Sequence, residues 1–226
     1  MILAPFLETL LTDLMIPVSR GAIILKDERT KRTWKVELQP YWLAKYPVTQ
    51  ELYFAVTQQS PSVFTGQQLP VESISWLEAI SFCNQLSILT GLQECYTVHS
   101  EEVHFDTRAN GYRLPLEAEW EFACRAGNFN ERYGNLENIA WYAENSGEAI
   151  HGVGQKEPNA WGFYDMIGNT WEWCWDIFDA EIYKSYRVFR GGGWMDQPRA
   201  CRASCRRRSH PTYKIDDLGF RIARSV

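Results

Sequence analysis

Gly111-Tyr112-Arg113-Leu114-Pro115-Leu116-Glu117-Ala118-Glu119-Trp120-Glu121 is the stretch on which the fold reading turns. Arg113-Leu114-Pro115 leads into a short helix, Leu116 to Ala126, that Gly127 is placed to close. Glu117 and Glu119 fall at the start of that helix, near Arg113, where the helix dipole favours acidic side chains. Arg113, Glu117 and Trp120 therefore read as architecture, and so does Trp173 further on.

Toward the N-terminus, Tyr96 to Phe105 alternates like one strand. Ser75 is placed to cap a helix in which Trp76, Ala79, Ile80, Cys83 and Leu86 recur at helical spacing, with Gly91 beyond its end. Thr49 is placed to cap another, running to about Thr57. Ile23-Ile24-Leu25 and the alternating Trp34, Val36 and Leu38 predict a β-hairpin turning near Asp27 to Lys31. Leu3, Phe6, Leu7, Leu10, Leu11 and Leu14 form the stripe of an amphipathic helix. With Glu8 and Asp13 inside it and no basic start, it does not read as a signal peptide. Toward the C-terminus, Asn128 to Asn169 keeps no period, and a loop region of that length signals function or a loop-rich fold. Trp171 to Ile177, Arg187 to Gly192 and Gly219 to Ala223 read as short strands. No repeat or linker interrupts the chain, which predicts one domain, residues 20–226, behind a helical extension, residues 1–19.

The 226 residues include 10 Trp, 11 Tyr and 11 Phe, enough ring area to stabilise a core with little regular secondary structure. A net charge of −5 gives no case for nucleic acid. Between Arg187 and Arg224, however, nine Arg and one Lys face three Asp, a local excess that can attract anions. Arg190 and Arg221 are set apart from that excess as partners of buried acids such as Glu117, Glu119 and Glu172. The six Cys show no CxxC or zinc spacing and read mainly as small hydrophobes. No stretch predicts a membrane span, and the chain is expected to be cytoplasmic. The four His are scattered and give no iron site of two His and a carboxylate.

Five further runs occur in order. They are Tyr46-Pro47-Val48-Thr49-Gln50, Pro70 to Trp76 (PVESISW), Pro158 to Trp173 (PNAWGFYDMIGNTWEW), Arg190-Gly191-Gly192-Gly193-Trp194 and Leu218-Gly219-Phe220-Arg221. With Gly111 to Glu121, they resemble the motif series of the formylglycine-generating-enzyme, or sulfatase-modifying-factor, family. The resemblance runs from about residue 20 to the C-terminus. It implies an α+β, C-type-lectin-like fold, loop-rich, with short helices packed on twisted antiparallel sheets.

The resemblance also implies two structural calcium sites, one at Asn138 and Ile139 with Asn145 as a looser member, the other at Ile167, Gly168, Thr170 and Glu172. Calcium takes oxygen ligands, main-chain carbonyls included. The family's enzymes oxidise a substrate cysteine and hold Cu(I) between two thiolates just after a Gly-Gly-Ser-Trp/Tyr run. Here the first thiolate position falls on Asp196, the second on Cys201, and the serine is Gly193. A carboxylate is a poor ligand for soft Cu(I), so copper is not expected and Cys201 would be catalytic only in the alternative reading, a cysteine oxidase or related sulfur enzyme. The C-terminal segment further resembles the variable proteins of diversity-generating retroelements. That resemblance implies a ligand-binding surface of Met195, Asp196, Gln197, Arg199, Ser204, Arg207, Arg208, His210, Thr212, Tyr213 and Lys214. These are expected on one exposed face, interleaved with inward Trp194, Pro198, Cys201, Arg202 and Phe220. The expected partner is a protein or a small anionic ligand, with neither nucleic acid nor membrane involved.

Overall fold

The computed structural model describes residues 3–99 and 102–226. Among the described residues, helices α1 (Leu3–Leu11), α2 (Gln50–Thr57), α3 (Trp76–Leu89), α4 (Glu117–Arg125) and α5 (Leu136–Ile139) are interspersed with twelve short strands. These are β1 (Met15–Val18), β2 (Gly21–Lys26), β3 (Thr33–Leu38), β4 (Tyr41–Ala44), β5 (Tyr96–His99), β6 (Glu102–Phe105), β7 (Tyr112–Arg113), β8 (Trp171–Ile177), β9 (Arg187–Arg190), β10 (Arg206–Ser209), β11 (Leu218–Gly219) and β12 (Ala223–Ser225). One four-stranded sheet runs β1-β4-β12-β7 and a second runs β10-β9-β8-β11, while β2-β3 and β5-β6 are separate hairpins.

The helix ends follow from their residues. Thr49 Oγ1 accepts the Leu52 N–H at 3.2 Å. Ser75 and Glu78 form a reciprocal capping box at α3. At α4 the Glu119 carboxylate accepts the Leu116 N–H at 2.8 Å and a two-pronged bond from Arg113 at 2.6 and 2.8 Å. The helix closes on Ala126, at φ +46°, one residue before the expected glycine.

Four features differ from the sequence reading. Tyr96 to Phe105 is a hairpin and not one strand. Its register pairs His99 with Glu102, so the apolar face passes from even positions, Tyr96 and Val98, to odd ones, Val103 and Phe105, and the in/out parity inverts at the bend; residues 100 and 101 lie outside the described residues. β1 contains Pro17, which an edge strand tolerates, and β1 is the edge beside β4. The chain before residue 20 is thus knit into the domain, with Leu7 only 2% exposed in the main core. β4 and β10 were also unforeseen. The expected strand Gly219 to Ala223 is two strands: β11 runs parallel to β8, and β12 pairs with β4 and β7. Phe220, Arg221 and Ile222 therefore cross from one sheet to the other.

That crossing carries the central polar contact. Arg221 donates to Glu172 Oε2 at 2.5 Å and Oε1 at 2.6 Å, and to the carbonyls of Ala44 and Tyr164, both at 3.0 Å. The Trp120 indole donates to the same Glu172 Oε2 at 2.7 Å. Both charged side chains are wholly buried. Around them lie two apolar clusters, one with Trp76, Trp173, Phe82 and Phe220, the other with Trp120, Phe163, Val188 and Cys201. Two more indoles of the core are satisfied: Trp76 donates to the Cys174 carbonyl and Trp173 to the Ile74 carbonyl.

Removing one partner of a buried pair leaves an uncompensated charge, which costs about 3–5 kcal/mol. Arg221→Met is therefore expected to lose that much in urea denaturation. A smaller loss in Arg221→Met than in Tyr213→Ala would contradict the central role given to this pair.

Candidate functional site

The site grows out of the end of β9. After Arg190 the chain passes through Gly191 and Gly192 at φ +105° and +88°, a region that side chains rarely enter. The resulting turn brings Trp194 inward. Its N–H donates to the Asn169 carbonyl at 2.9 Å, its indole donates to the Asp216 carbonyl at 3.3 Å, and Phe64 stands edge-on to its ring at 5.5 Å. Asp196, two residues on, is fully engaged. Its Oδ2 accepts from the Trp171 indole at 2.6 Å and from the Gly193 N–H at 3.0 Å, while Oδ1 accepts from Arg207 at 2.8 Å. The Arg207 guanidinium lies over the Trp171 ring, 4.6 Å from its centroid.

Cys201 lies against Gly192, where an added Cβ would come 3.1 Å from its Sγ. It is fully buried. Burial first, and then the charge of Asp196, pushes its thiol up to about 12, which favours the neutral thiol over the reactive thiolate at pH 7. Arg132 fixes the adjacent turn by donating to the carbonyls of Cys201 and Pro198 at 2.8 and 2.6 Å.

The eleven expected surface residues do not share one face. Met195, Gln197, Arg199, Arg207, His210, Thr212, Tyr213 and Lys214 are exposed, and Asp196 is half-buried beneath Arg207. Ser204 is buried and donates to Glu28 at 2.9 Å. Arg208 stacks on Tyr183, 3.8 Å from its centroid. The reason is strand parity: alternate side chains on β10 point to opposite faces. Arg206 and Arg208 turn toward Phe178, at 4.2 and 4.7 Å, and Arg207 turns toward Trp171. Lys214 reaches Glu78 at 2.6 Å, and the His210 ring meets Tyr186 at 6.1 Å. Of the expected inward residues, Trp194, Cys201 and Phe220 are buried, whereas Pro198 and Arg202 are half-buried.

Calcium does not fit at Glu172. Both carboxylate oxygens already receive hydrogen bonds from Arg221 and Trp120, and a divalent cation there would sit against a buried guanidinium. Of the other expected members, Gly168 donates its N–H to the Gly191 carbonyl at 3.0 Å, while the buried Thr170 Oγ1 has no hydrogen-bond partner among the described residues. At the other set, the Asn138 carbonyl accepts the Glu157 N–H at 2.9 Å, the Ile139 carbonyl accepts from Tyr133 at 3.4 Å, and Asn145 Oδ1 accepts the Tyr142 N–H at 2.9 Å. Each of these neutral oxygens keeps a lone pair, so their chemistry is compatible with calcium. Among the described residues, no three His, Cys, Asp or Glu side chains are grouped to hold a metal ion.

Sequence reasoning missed two members of this site. Trp171 was assigned only to a strand. Asp217 was visible only as the end of the variable-looking stretch; its carboxyl folds over Gly193, where an added Cβ would meet Oδ2 at 2.5 Å. Burial first, then Asp196 and Asp216, pushes Asp217 up to about 7, and Arg207 acts in the opposite direction.

Residues 7–226 match the family model of the sulfatase-modifying factor enzyme 1-like domain. The chain is 32% identical over 258 residues to chaperone protein LppX of Paenibacillus barcinonensis, across 96% of this chain and 91% of that protein. It is 27% identical to the inactive C-alpha-formylglycine-generating enzyme 2 of Bos taurus, across 88% of this chain but 64% of that longer protein. Among solved structures, Treponema denticola variable protein 1 is similar at 33% identity with a TM-score of 0.86, covering 93% of this chain and 94% of that one. The α+β, C-type-lectin-like architecture expected from the motifs is the one observed, and the similarity to a variable protein spans nearly the whole chain.

The division between framework and surface is measurable. Arg207→Ala and Tyr213→Ala are expected to change stability by no more than about 0.5 kcal/mol. Trp194→Ala, which empties a buried ring site, should cost about 3–5 kcal/mol. Equal losses at all three positions in chemical denaturation would show that the segment is core.

Proposed function

The chain belongs to the sulfatase-modifying factor enzyme 1-like family, and from that membership we propose that it is a non-catalytic ligand-binding protein whose recognition surface is the exposed part of residues 195–217. The observation that carries this reading is Asp196. The residue at the first thiolate position is a carboxylate tied to Trp171, Gly193 and Arg207, and the remaining Cys201 thiol is sealed and protonated. The cysteine-oxidase alternative would need two accessible thiolates to hold Cu(I). Residues free of framework duty surround that spot, with Met195 59% and Tyr213 40% exposed. Tyr and Arg make good anchors in recognition surfaces.

A protein suits this surface better than a small anion. Most of the basic excess is already engaged: Arg190, Arg206 and Arg221 pair with buried acids, Arg202 pairs with Glu28 and Glu131, and Arg208 stacks on Tyr183. Similarity along nearly the full length to a protein named a chaperone, and to one named a variable protein, supports the same choice. Any calcium is assigned to the Asn138–Ile139 carbonyls and serves structure. The working compartment is taken to be the cytoplasm.

Two measurements test the proposal. Titration against a Cu(I) chelator should reveal no tight site, and tight binding that disappears in Cys201→Ser would overturn the non-catalytic reading. Capture of partners from cell extract should fall at least severalfold for the Arg207→Ala, Tyr213→Ala double variant. Undiminished capture would remove the recognition surface from residues 195–217.

A further inference from the structure

Four carboxylates gather near Trp194, and Arg207 pairs with only one of them. Asp196 is paired with Arg207. Asp217 folds over Gly193, and no side chain among the described residues donates a hydrogen bond to it. Asp216 gives its main-chain carbonyl to the Trp194 indole, while its carboxylate has no ion pair among the described residues. Glu72 is fully buried; its Oε1 accepts the Phe64 N–H at 3.0 Å, and its Oε2 has no hydrogen-bond partner among the described residues. Phe64 packs on Trp194, and burial first, with the charge of Asp216 as a lesser contribution, raises the Glu72 carboxyl above its ordinary value. The acidic side chains at this spot therefore outnumber the guanidinium that pairs with one of them.

Arg207 indicates the chemistry that the spot accepts. Its guanidinium is hydrogen-bonded to a carboxylate and lies over an indole face, an arrangement favourable to organic cations. The carboxylates do not converge on one point, since no three acids are grouped for a metal ion. A guanidinium or ammonium group, with several divergent N–H donors, can satisfy separated oxygens in a way that a single ion cannot.

We propose that the Asp216–Asp217 edge beside Trp194 binds a cationic side chain, arginine or lysine, presented by a protein partner next to Arg207. This deepens the recognition-surface reading and rests on it. The groups facing Asp217 are Asp196 from the turn after Gly193, Arg207 from β10 and Asp216 from its own loop, with Glu72 beyond Asp216. A carboxyl poised near neutrality couples binding to pH, because a cation favours its ionised form. With ionisation near 7, the charged fraction rises from roughly 0.1 at pH 6 to roughly 0.9 at pH 8, so binding should tighten up to about tenfold.

The test is an NMR titration of the full chain, following the Trp171 and Trp194 indole N–H signals. The probes are tetrapeptides that differ only in carrying arginine, lysine or neutral citrulline. The arginine or lysine peptide should shift these signals and bind about tenfold more tightly at pH 8 than at pH 6, and the citrulline peptide should not. Asp217→Asn should abolish the pH dependence and most of the binding. Asp216→Asn, which removes one neighbouring charge, should move the pH midpoint downward. Absence of binding by both cationic peptides, equal binding of citrulline, or binding unchanged in Asp217→Asn would overturn the inference. Those outcomes, combined with partner capture that still depends on Arg207 and Tyr213, would leave the recognition surface standing. Loss of both would remove it as well.

Discussion

Everything in this fold is arranged around a guanidinium and a carboxylate that have lost all contact with water. Arg221 and Glu172 are each 0% exposed. Removing two such charges from solvent is costly unless nearly every donor and acceptor finds a partner. The chain meets that demand by drawing on parts far apart in sequence: β8 supplies the acid, the link between β11 and β12 supplies the base, and α4 supplies an indole. The end of β4 and the Tyr164 turn supply carbonyls. Because these groups come from both sheets, the pair is complete only when both sheets and α4 are assembled. Two sheets of short strands, each marginal alone, are thereby made to depend on one another.

A second charged layer does the same for the site. Arg190 bonds Glu121 and also donates to the carbonyls of Ser204 and Cys205 at 3.1 and 3.2 Å. Arg206 forks onto Glu117 at 2.6 and 2.7 Å. These contacts fix both ends of the chain between β9 and β10 from beneath. Trp194, Cys201 and Ala203 fill its underside. Nothing exposed in that segment is needed to hold its backbone, and so its outward side chains are free to serve recognition.

What the sequence revealed and what it hid divide along physical lines. Helix caps rest on contacts only three or four residues apart, so Thr49 and Ser75 could be read directly. The hairpin of β2 and β3 was legible from its alternation and turn. The motif runs carried the architecture because each places a large ring or a charge where the core needs it. Strand pairing between distant segments left no local trace: β4, β10 and the split of β11 from β12 depend on partners found only in three dimensions. The site was blurred for a related reason. Reading the eleven interleaved residues as outward ignored the strand within that stretch, which turns Arg208 onto Tyr183, and the distant Glu28, which holds the Ser204 hydroxyl inside. Asp217 escaped notice because its significance lies in folding back over Gly193, twenty-four positions earlier in the chain.

The antiparallel register of β10 on β9, with Arg206 opposite Arg190 and Arg207 opposite Phe189, has an evolutionary corollary. A strand's two faces exchange roles whenever its frame slips by one residue. A single codon inserted or deleted between Gly193 and Arg206 would deliver a different side chain to the Glu117 pocket and turn a framework arginine outward. Substitutions at alternate positions leave that frame untouched. The segment can therefore change its letters freely at outward sites while its length stays fixed, so a lineage diversifying this surface should accumulate replacements there and almost no indels.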